Sequence, residues 1–169
     1  MNRDNSIKKI SDTTILWDIV VVGGGATGLG IAVDAASRGY KVVLLEQSDF
    51  TKATSSRSTK LVHGGVRYLA QGDVGLVVEA LRERGLMRKN APHLFHDQRF
   101  IIGNYKWWEK AFYTIGLTVY DILAGKRALG RSLAMSKASV LKEIPQIVTR
   151  NLRGGVVYHE GQFDDSRMG

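Results

Sequence analysis

Cysteine is absent from the 169-residue sequence. No disulfide can staple the fold, and no zinc or iron–sulfur centre can be built on thiolates. Long hydrophobic runs are missing too. Nowhere do about 18 apolar residues follow one another, so no membrane-spanning helix is expected. Proline occurs only at Pro92 and Pro145, which are the sharpest breakpoints of the chain. The opening MNRDNSIKKISDTT has no apolar stretch followed by a small-residue cleavage site, so it is not a secretory signal. Residues 1–16 read as a disordered lead-in. Acidic side chains are the scarcer charge, 16 against 24 Lys and Arg, which leaves a net charge of +8. The basic residues are scattered from Lys8 to Arg167 and form no block. Solvated helix surface explains them better than a nucleic-acid face, and neither zinc-finger spacing nor an RNA-binding signature is present. No nucleic-acid partner is expected.

What is present suits a packed globular core: 44% of residues are hydrophobic and 24% charged. Residues 17–22, WDIVVV, form a β-branched run suited to a strand buried on both faces. GGGATGLG follows at once. Then IAVDAASRG has small residues at helical spacing, with Gly39 placed to close a helix. Residues 41–46, KVVLLE, are a second apolar strand. Strand, glycine turn, helix and strand make a βαβ unit, and the fold class is α/β and Rossmann-like. Further on, Asp73 caps a helix over 74–90 that Pro92 ends, with Val77, Ala80, Leu81 and Met87 on one face. Arg82, Arg84, Arg88 and Lys89 make much of the rest polar. Residues 99–103 and 156–159 read as short strands. Residues 107–125 form an amphipathic helix whose stripe is Trp108, Phe112, Ile115, Val119, Ile122 and Leu123. That stripe is read as packing on its own domain, against the alternative of a bilayer surface. The last residues, DDSRMG, begin another helix at Asp164, as expected of a truncated chain.

Gly23, Gly25 and Gly28 give G-x-G-x-x-G between a strand and a helix. The first permits a tight turn, the second lets a pyrophosphate approach the backbone, and the third lets helix and strand pack closely. Phosphates then sit at a helix N-terminus, where unsatisfied N–H groups favour negative charge. Glu46 lies eighteen residues past Gly28, at the end of the second strand. A carboxylate there accepts from both hydroxyls of an adenosine ribose and repels a 2′-phosphate. The motif points to dinucleotide binding without choosing between FAD and NAD.

The next stretch does choose. TSSRSTKLVHGGVRYL crowds short hydroxyl side chains, a lysine, a histidine and a Gly-Gly pair. Small residues of this kind admit a long extended ligand and supply hydroxyl and N–H donors along it. With DIVVVGGGATGLGIAVDAASRGYKVVLLE, EALRERGLMRKNAPHL and GQFDDSRM, this segment resembles the FAD-dependent glycerol-3-phosphate dehydrogenases. The matching features cover most of the chain from Asp18 onward.

The resemblance implies a flavoprotein that oxidises sn-glycerol 3-phosphate to dihydroxyacetone phosphate by hydride transfer to FAD, with electrons passed to a membrane quinone. It implies a cytoplasmic protein held peripherally at the inner face of the cell membrane, and it leaves a homodimer open. Residues 17–169 would be the FAD-binding domain, incomplete because the substrate and C-terminal domains are missing, and inactive alone. Gly23, Gly24, Gly25, Ala26, Thr27 and Gly28 would hold the pyrophosphate, with Glu46 and Gln47 at the ribose. Thr54, Ser55, Ser56, Ser58 and Lys60 would line the phosphate and ribityl region. Leu61, His63, Gly64 and Gly65 would approach the isoalloxazine. Arg67 would bind the substrate phosphate and Tyr68 wall the pocket, as catalytic candidates beside His63. His63 reads equally as a structural histidine. A related FAD oxidase using oxygen and a non-catalytic nucleotide-binding fragment are the alternatives.

Overall fold

The stretch expected to be a disordered lead-in forms a helix instead, α1 (Arg3–Ser11). Asn2 caps it, its side-chain oxygen accepting from the Asp4 and Asn5 amides at 3.1 and 3.2 Å. Asp4 in the first turn and Lys8 and Lys9 in the last complement the helix dipole. No residue of α1 is buried, so local capping rather than a core forms it.

The computed structural model describes residues 2–168. The chain divides into two compact units, Met1–Thr59 with Asp165–Gly169, and Lys60–Asp164. In the first unit, β1 (Ile19–Val22), α2 (Ala26–Ser37) and β2 (Val42–Leu45) form the expected βαβ unit. The strands pair parallel, from Ile19 opposite Val42 to Val22 opposite Leu45. Gly39 ends α2 in the left-handed region at φ +89°, its amide donating to the Ala36 carbonyl. Contrary to the expected double burial, this pair is covered unevenly: Val21 and Val43, on opposite faces by the register, are buried, whereas Val20 and Val22, on the same face as Val43, are 58% and 83% exposed.

The second unit contains β3 (Leu61–Val62), α3 (Val66–Leu69), α4 (Val74–Asn90), β4 (Phe95–Asn104), α5 (Glu109–Ala124), β5 (Leu133–Ser136), α6 (Lys137–Glu143) and β6 (Gly154–Phe163). β6 is the spine of an antiparallel sheet. β4 runs along one side, from Phe95 opposite Phe163 to Asn104 opposite Gly154. β3 and β5 share the other side at its two ends. The expected strands at 99–103 and 156–159 are thus the middles of longer ones. α4 has the expected bounds, with Asp73 accepting from the Leu76 amide at 3.0 Å and Pro92 opening a 3₁₀ turn just beyond. β5 and α6 have no counterpart in the sequence reading. Ser136 caps α6 by accepting from the Ser139 amide.

The core of this unit is Val77, Leu81, Tyr120 and Ala124, with Val66, Leu69, Leu123 and Ala128 against it. α5 therefore buries Leu117, Tyr120 and Ala124, the face opposite most of the expected stripe. Trp108, Phe112, Ile115, Val119 and Ile122 are exposed, and of the expected stripe only Leu123 packs on the core. Arg84, read as part of a polar surface, is 1% exposed. After β6 the chain enters α7 (Asp165–Met168), part of the first unit.

Candidate functional site

In the first unit β1 runs straight into the glycine turn. Gly23 sits at φ +106°, where a side chain is strained, and its amide donates to the Leu45 carbonyl at 2.8 Å. A Cβ on Gly28 would lie 1.9 Å from the Gly23 carbonyl oxygen, and one on Gly24 would lie 2.5 Å from the Phe50 ring. The turn and the first turn of α2 therefore close on each other with no room for a methyl group. Gly25 caps α2 through its backbone, and no acidic residue lies in the first turn of the helix itself. Helix geometry leaves the first amides of α2 without intrahelical acceptors. The Ala26 amide donates to Ser55 Oγ at 2.8 Å.

Glu46 follows β2. Its Oε2 accepts from the Gly24 amide at 2.7 Å and its Oε1 from the Ser48 amide at 2.9 Å. These bonds hold its carboxyl below the usual range, the Gly24 amide contributing most. Gly24, Gly25, Glu46 and Gln47 line a cavity of about 320 Å³, together with Lys52 and Arg57. The cavity combines glycine backbone, two carboxylates, Glu46 and Asp49, and two cations. Of the hydroxyl cluster, Thr54, Ser55 and Ser56 form a 3₁₀ turn. Ser58 instead binds Asp165, donating from its amide at 3.1 Å and its hydroxyl at 2.7 Å to Oδ2.

In the second unit Lys60 stands in the left-handed region at φ +59°, and its carbonyl accepts from the Phe163 amide. Leu61 belongs to β3. His63 is exposed, whereas Gly64 and Gly65 are buried. Beside the expected approach to an isoalloxazine, the glycine pair has an internal reason. A Cβ on Gly64 would lie 1.9 Å from the Tyr120 hydroxyl, and Gly65 starts α3 at φ +80°. Arg67 and Tyr68 lie on α3, both exposed. Among the described residues Arg67 has no carboxylate partner, and it borders an apolar cavity of about 430 Å³ walled by Val66, Leu69, Phe112 and Leu117.

Beneath this loop lies a cluster absent from the sequence reading. Arg84 on α4, Tyr120 on α5 and Glu160 on β6 are buried together, with Arg84 Nη1 2.9 Å from Glu160 Oε2. Burial first, then the Glu160 carboxylate, push the Tyr120 phenol far above its ordinary range. A signal was available: Val77, Leu81 and Arg84 are spaced four and three apart, so the helical period puts the arginine on the core face. His159 contacts Asp97 through Nδ1 at 2.9 Å.

The family model described as FAD dependent oxidoreductase matches residues 18–168. The mitochondrial glycerol-3-phosphate dehydrogenase of Schizosaccharomyces pombe is 42% identical over 174 aligned residues, covering 99% of this chain and 27% of that protein. The Homo sapiens protein of the same name is 45% identical over 159, covering 90% and 22%. Among solved structures, the glycerol-3-phosphate dehydrogenase of Bacillus halodurans complexed with FAD has a TM-score of 0.68 at 31% identity, covering 98% of this chain and 25% of that one. The L-alpha-glycerophosphate oxidase of Mycoplasma pneumoniae, also with FAD bound, has a TM-score of 0.66 at 17% identity, a likeness of fold alone. The chain spans about a quarter of the length of the curated relatives it matches. The family match nevertheless covers both units, including the glycine turn, Glu46 and the HGGVRYL loop, and by it the chain belongs to the FAD-dependent oxidoreductase family.

Proposed function

We propose that this chain is the FAD-binding portion of a glycerol-3-phosphate dehydrogenase, which oxidises sn-glycerol 3-phosphate to dihydroxyacetone phosphate and passes electrons to a membrane quinone. The observation that carries this reading is the identity of 42–45% to glycerol-3-phosphate dehydrogenases over nearly the whole chain. The residues present fit FAD. The close-packed glycines at Gly24 and Gly28, the helix start free of acid and the Glu46 cavity suit a pyrophosphate and its ribose.

When bound, FAD supplies the acceptor for the hydride that leaves the secondary carbon. The chain's own residues bind and orient. Gly23, Gly24, Gly25, Ala26, Thr27 and Gly28 receive the pyrophosphate, and Glu46 and Gln47 the ribose. Thr54, Ser55, Ser56, Ser58 and Lys60 follow the phosphate and ribityl chain. Leu61, His63, Gly64 and Gly65 face the isoalloxazine. Arg67, without a carboxylate partner among the described residues, has its guanidinium to spend on the substrate phosphate in a bidentate contact. Tyr68 walls the pocket. His63 is exposed and can take the hydroxyl proton as the carbon is oxidised.

A lipid-soluble acceptor calls for a membrane surface. The exposed face of α5 offers one, with Phe112, Ile115, Val119 and Ile122 uncovered and Lys106, Lys110, Lys126 and Arg127 near its ends. Among the described residues no helix is long and apolar enough to cross a membrane. A cytoplasmic protein attached peripherally to the inner face of the cell membrane follows from this reading.

Anaerobic titration of the full-length gene product tests it. The purified protein is expected to be yellow and to bleach with glycerol 3-phosphate but not with glycerol. Flavin that never bleaches sinks the substrate. Folded protein that takes up no flavin sinks the cofactor. Peroxide formed stoichiometrically in air, without reduction of an added quinone, replaces the dehydrogenase with an oxidase.

A further inference from the structure

Glu160 is fully buried in β6, and nothing in the proposed chemistry uses it. Its Oε2 accepts from the Gly64 amide at 3.0 Å and from Arg84 Nη1 at 2.9 Å; its Oε1 accepts from the Tyr120 hydroxyl at 3.0 Å. Arg84 Nη1 also donates to the Tyr120 oxygen at 3.0 Å, and the guanidinium carbon stands 5.7 Å from that ring's centroid. Arg84, Tyr120 and Glu160 come from three elements and form a closed ring of contacts.

Stability alone is a poor reason for such a ring. Taking two charges out of water costs as much as their attraction returns, and well-packed apolar residues often serve a core equally well. An apolar core cannot accept from an amide. The amide concerned belongs to Gly64, in the loop read above as facing the isoalloxazine. The fit at that position leaves no slack: a Cβ would lie 1.9 Å from the Tyr120 hydroxyl and 2.5 Å from Leu81 Cδ2. The next residue, Gly65, is left-handed, and its carbonyl accepts from the Tyr68 amide at 2.8 Å. Fixing the Gly64 amide therefore fixes the backbone on both sides, toward His63 and into α3 with Arg67 and Tyr68.

We propose that Arg84, Glu160 and Tyr120 are positioning residues for the flavin-facing loop. Glu160 is the acceptor that sets the Gly64 peptide, Arg84 balances its charge inside the core, and Tyr120 fills the space that a side chain at position 64 would need. The inference rests on the FAD reading of the HGGVRYL loop. It goes beyond that reading by assigning the loop's shape to buried residues that touch neither flavin nor substrate.

A pair of double variants in the full-length gene product tests it. Arg84→Met with Glu160→Gln removes both buried charges and keeps an oxygen for the Gly64 amide. Arg84→Met with Glu160→Leu removes the charges and the oxygen. FAD affinity is read by quenching of flavin fluorescence on reconstitution of the apoprotein. The glutamine pair is expected within about threefold of the parent, and the leucine pair weaker by about tenfold or more, the size of one lost buried hydrogen bond. The Gly64 amide should also exchange with deuterium faster in the leucine pair only. Equal FAD affinity in the two variants overturns the proposal. If neither variant folds, exchange in the unaltered protein decides. A Gly64 amide as slow as those in the middle of β6 supports the network, and one as fast as exposed loop amides overturns it. A parent protein that takes up no FAD refutes the function proposed above. Gly64 exchange then still decides whether the network holds the loop.

Discussion

Glu46 holds a turn and faces a cavity with the same carboxylate. Bonds from the Gly24 and Ser48 amides occupy one site on each oxygen. A carboxylate offers about four acceptor sites, which leaves room for ribose hydroxyls. Because the folded protein holds this carboxyl below its ordinary value of 4.5, the Gly24 amide first, the contribution to the turn is complete above that value. It is lost as the pH falls through the lowered one. FAD affinity is therefore expected to stay level from neutral pH down to the ordinary carboxylate range and to weaken only below it. Glu46→Gln should abolish this low-pH limb and weaken FAD by about tenfold at neutral pH. A limb near the histidine range in the unaltered protein would assign the titration to another group. At Gly28 the same turn admits no methyl group, because the Gly23 carbonyl oxygen lies where a Cβ would go. Gly28→Ala should lower stability by about 1–3 kcal/mol, the usual cost of overpacking, and lose bound flavin, as read by urea unfolding and the visible spectrum.

At the scale of elements, α5 carries two apolar stripes. One runs through Tyr113, Leu117, Tyr120 and Ala124, the other through Trp108, Phe112, Ile115, Val119 and Ile122. They are offset by two residues, about 200° around the helix. The sequence offers both, and the larger aromatic stripe looks like the core. The structure buries the smaller, because it faces Val77 and Leu81 of α4 and supplies Tyr120 to Glu160. Helical periodicity reveals a stripe, not the partner that covers it. α4 was legible to the residue because its signals are local: an aspartate at the start and a proline past the end. β5 and α6 were not, because both are short: LAMS owes its strand form to pairing with β6, and KASVLKE follows the Ser136 cap and buries Val140. The exposed stripe gives a decisive pair of measurements. Ile115→Glu with Ile122→Glu is expected to leave stability within about 0.5 kcal/mol for each change and to abolish sedimentation with anionic liposomes. Leu117→Ala should cost about 2–5 kcal/mol and leave liposome binding intact in the folded protein. If the glutamate pair unfolds the full-length protein, the stripe is internal there and its membrane role is wrong.

For the whole molecule, the first unit is discontinuous in sequence. The chain leaves it after Thr59 and returns at Asp165. The βαβ unit, its glycine turn and Glu46 were readable because the signals lie close together in sequence. The return was readable only as the start of a helix, and what it fastens was not, since Ser58 and Asp165 are 107 residues apart. Asp165 is 3% exposed, and its Oδ2 takes both the amide and the hydroxyl of Ser58. Thr51 adds a bond from its hydroxyl to the Ser166 carbonyl at 3.4 Å, at the long end of the range. Asp165 therefore ties the end of the TSSRS segment to a helix encoded far downstream, and Ser58 is held in place before any ligand arrives. Asp165→Ala leaves the Ser58 amide and hydroxyl without this acceptor. Hydrogen bonds to a charged group are worth about 1.5–3 kcal/mol, and the variant is expected to lose stability in that range by urea unfolding. Limited proteolysis should then cut near residues 52–60 at a lower protease concentration, while the strands of the second unit keep their amide protection. Loss of protection throughout β4 and β6 would instead mean that the two units unfold as one, and that Asp165 stabilises the whole molecule rather than the closure of the first unit.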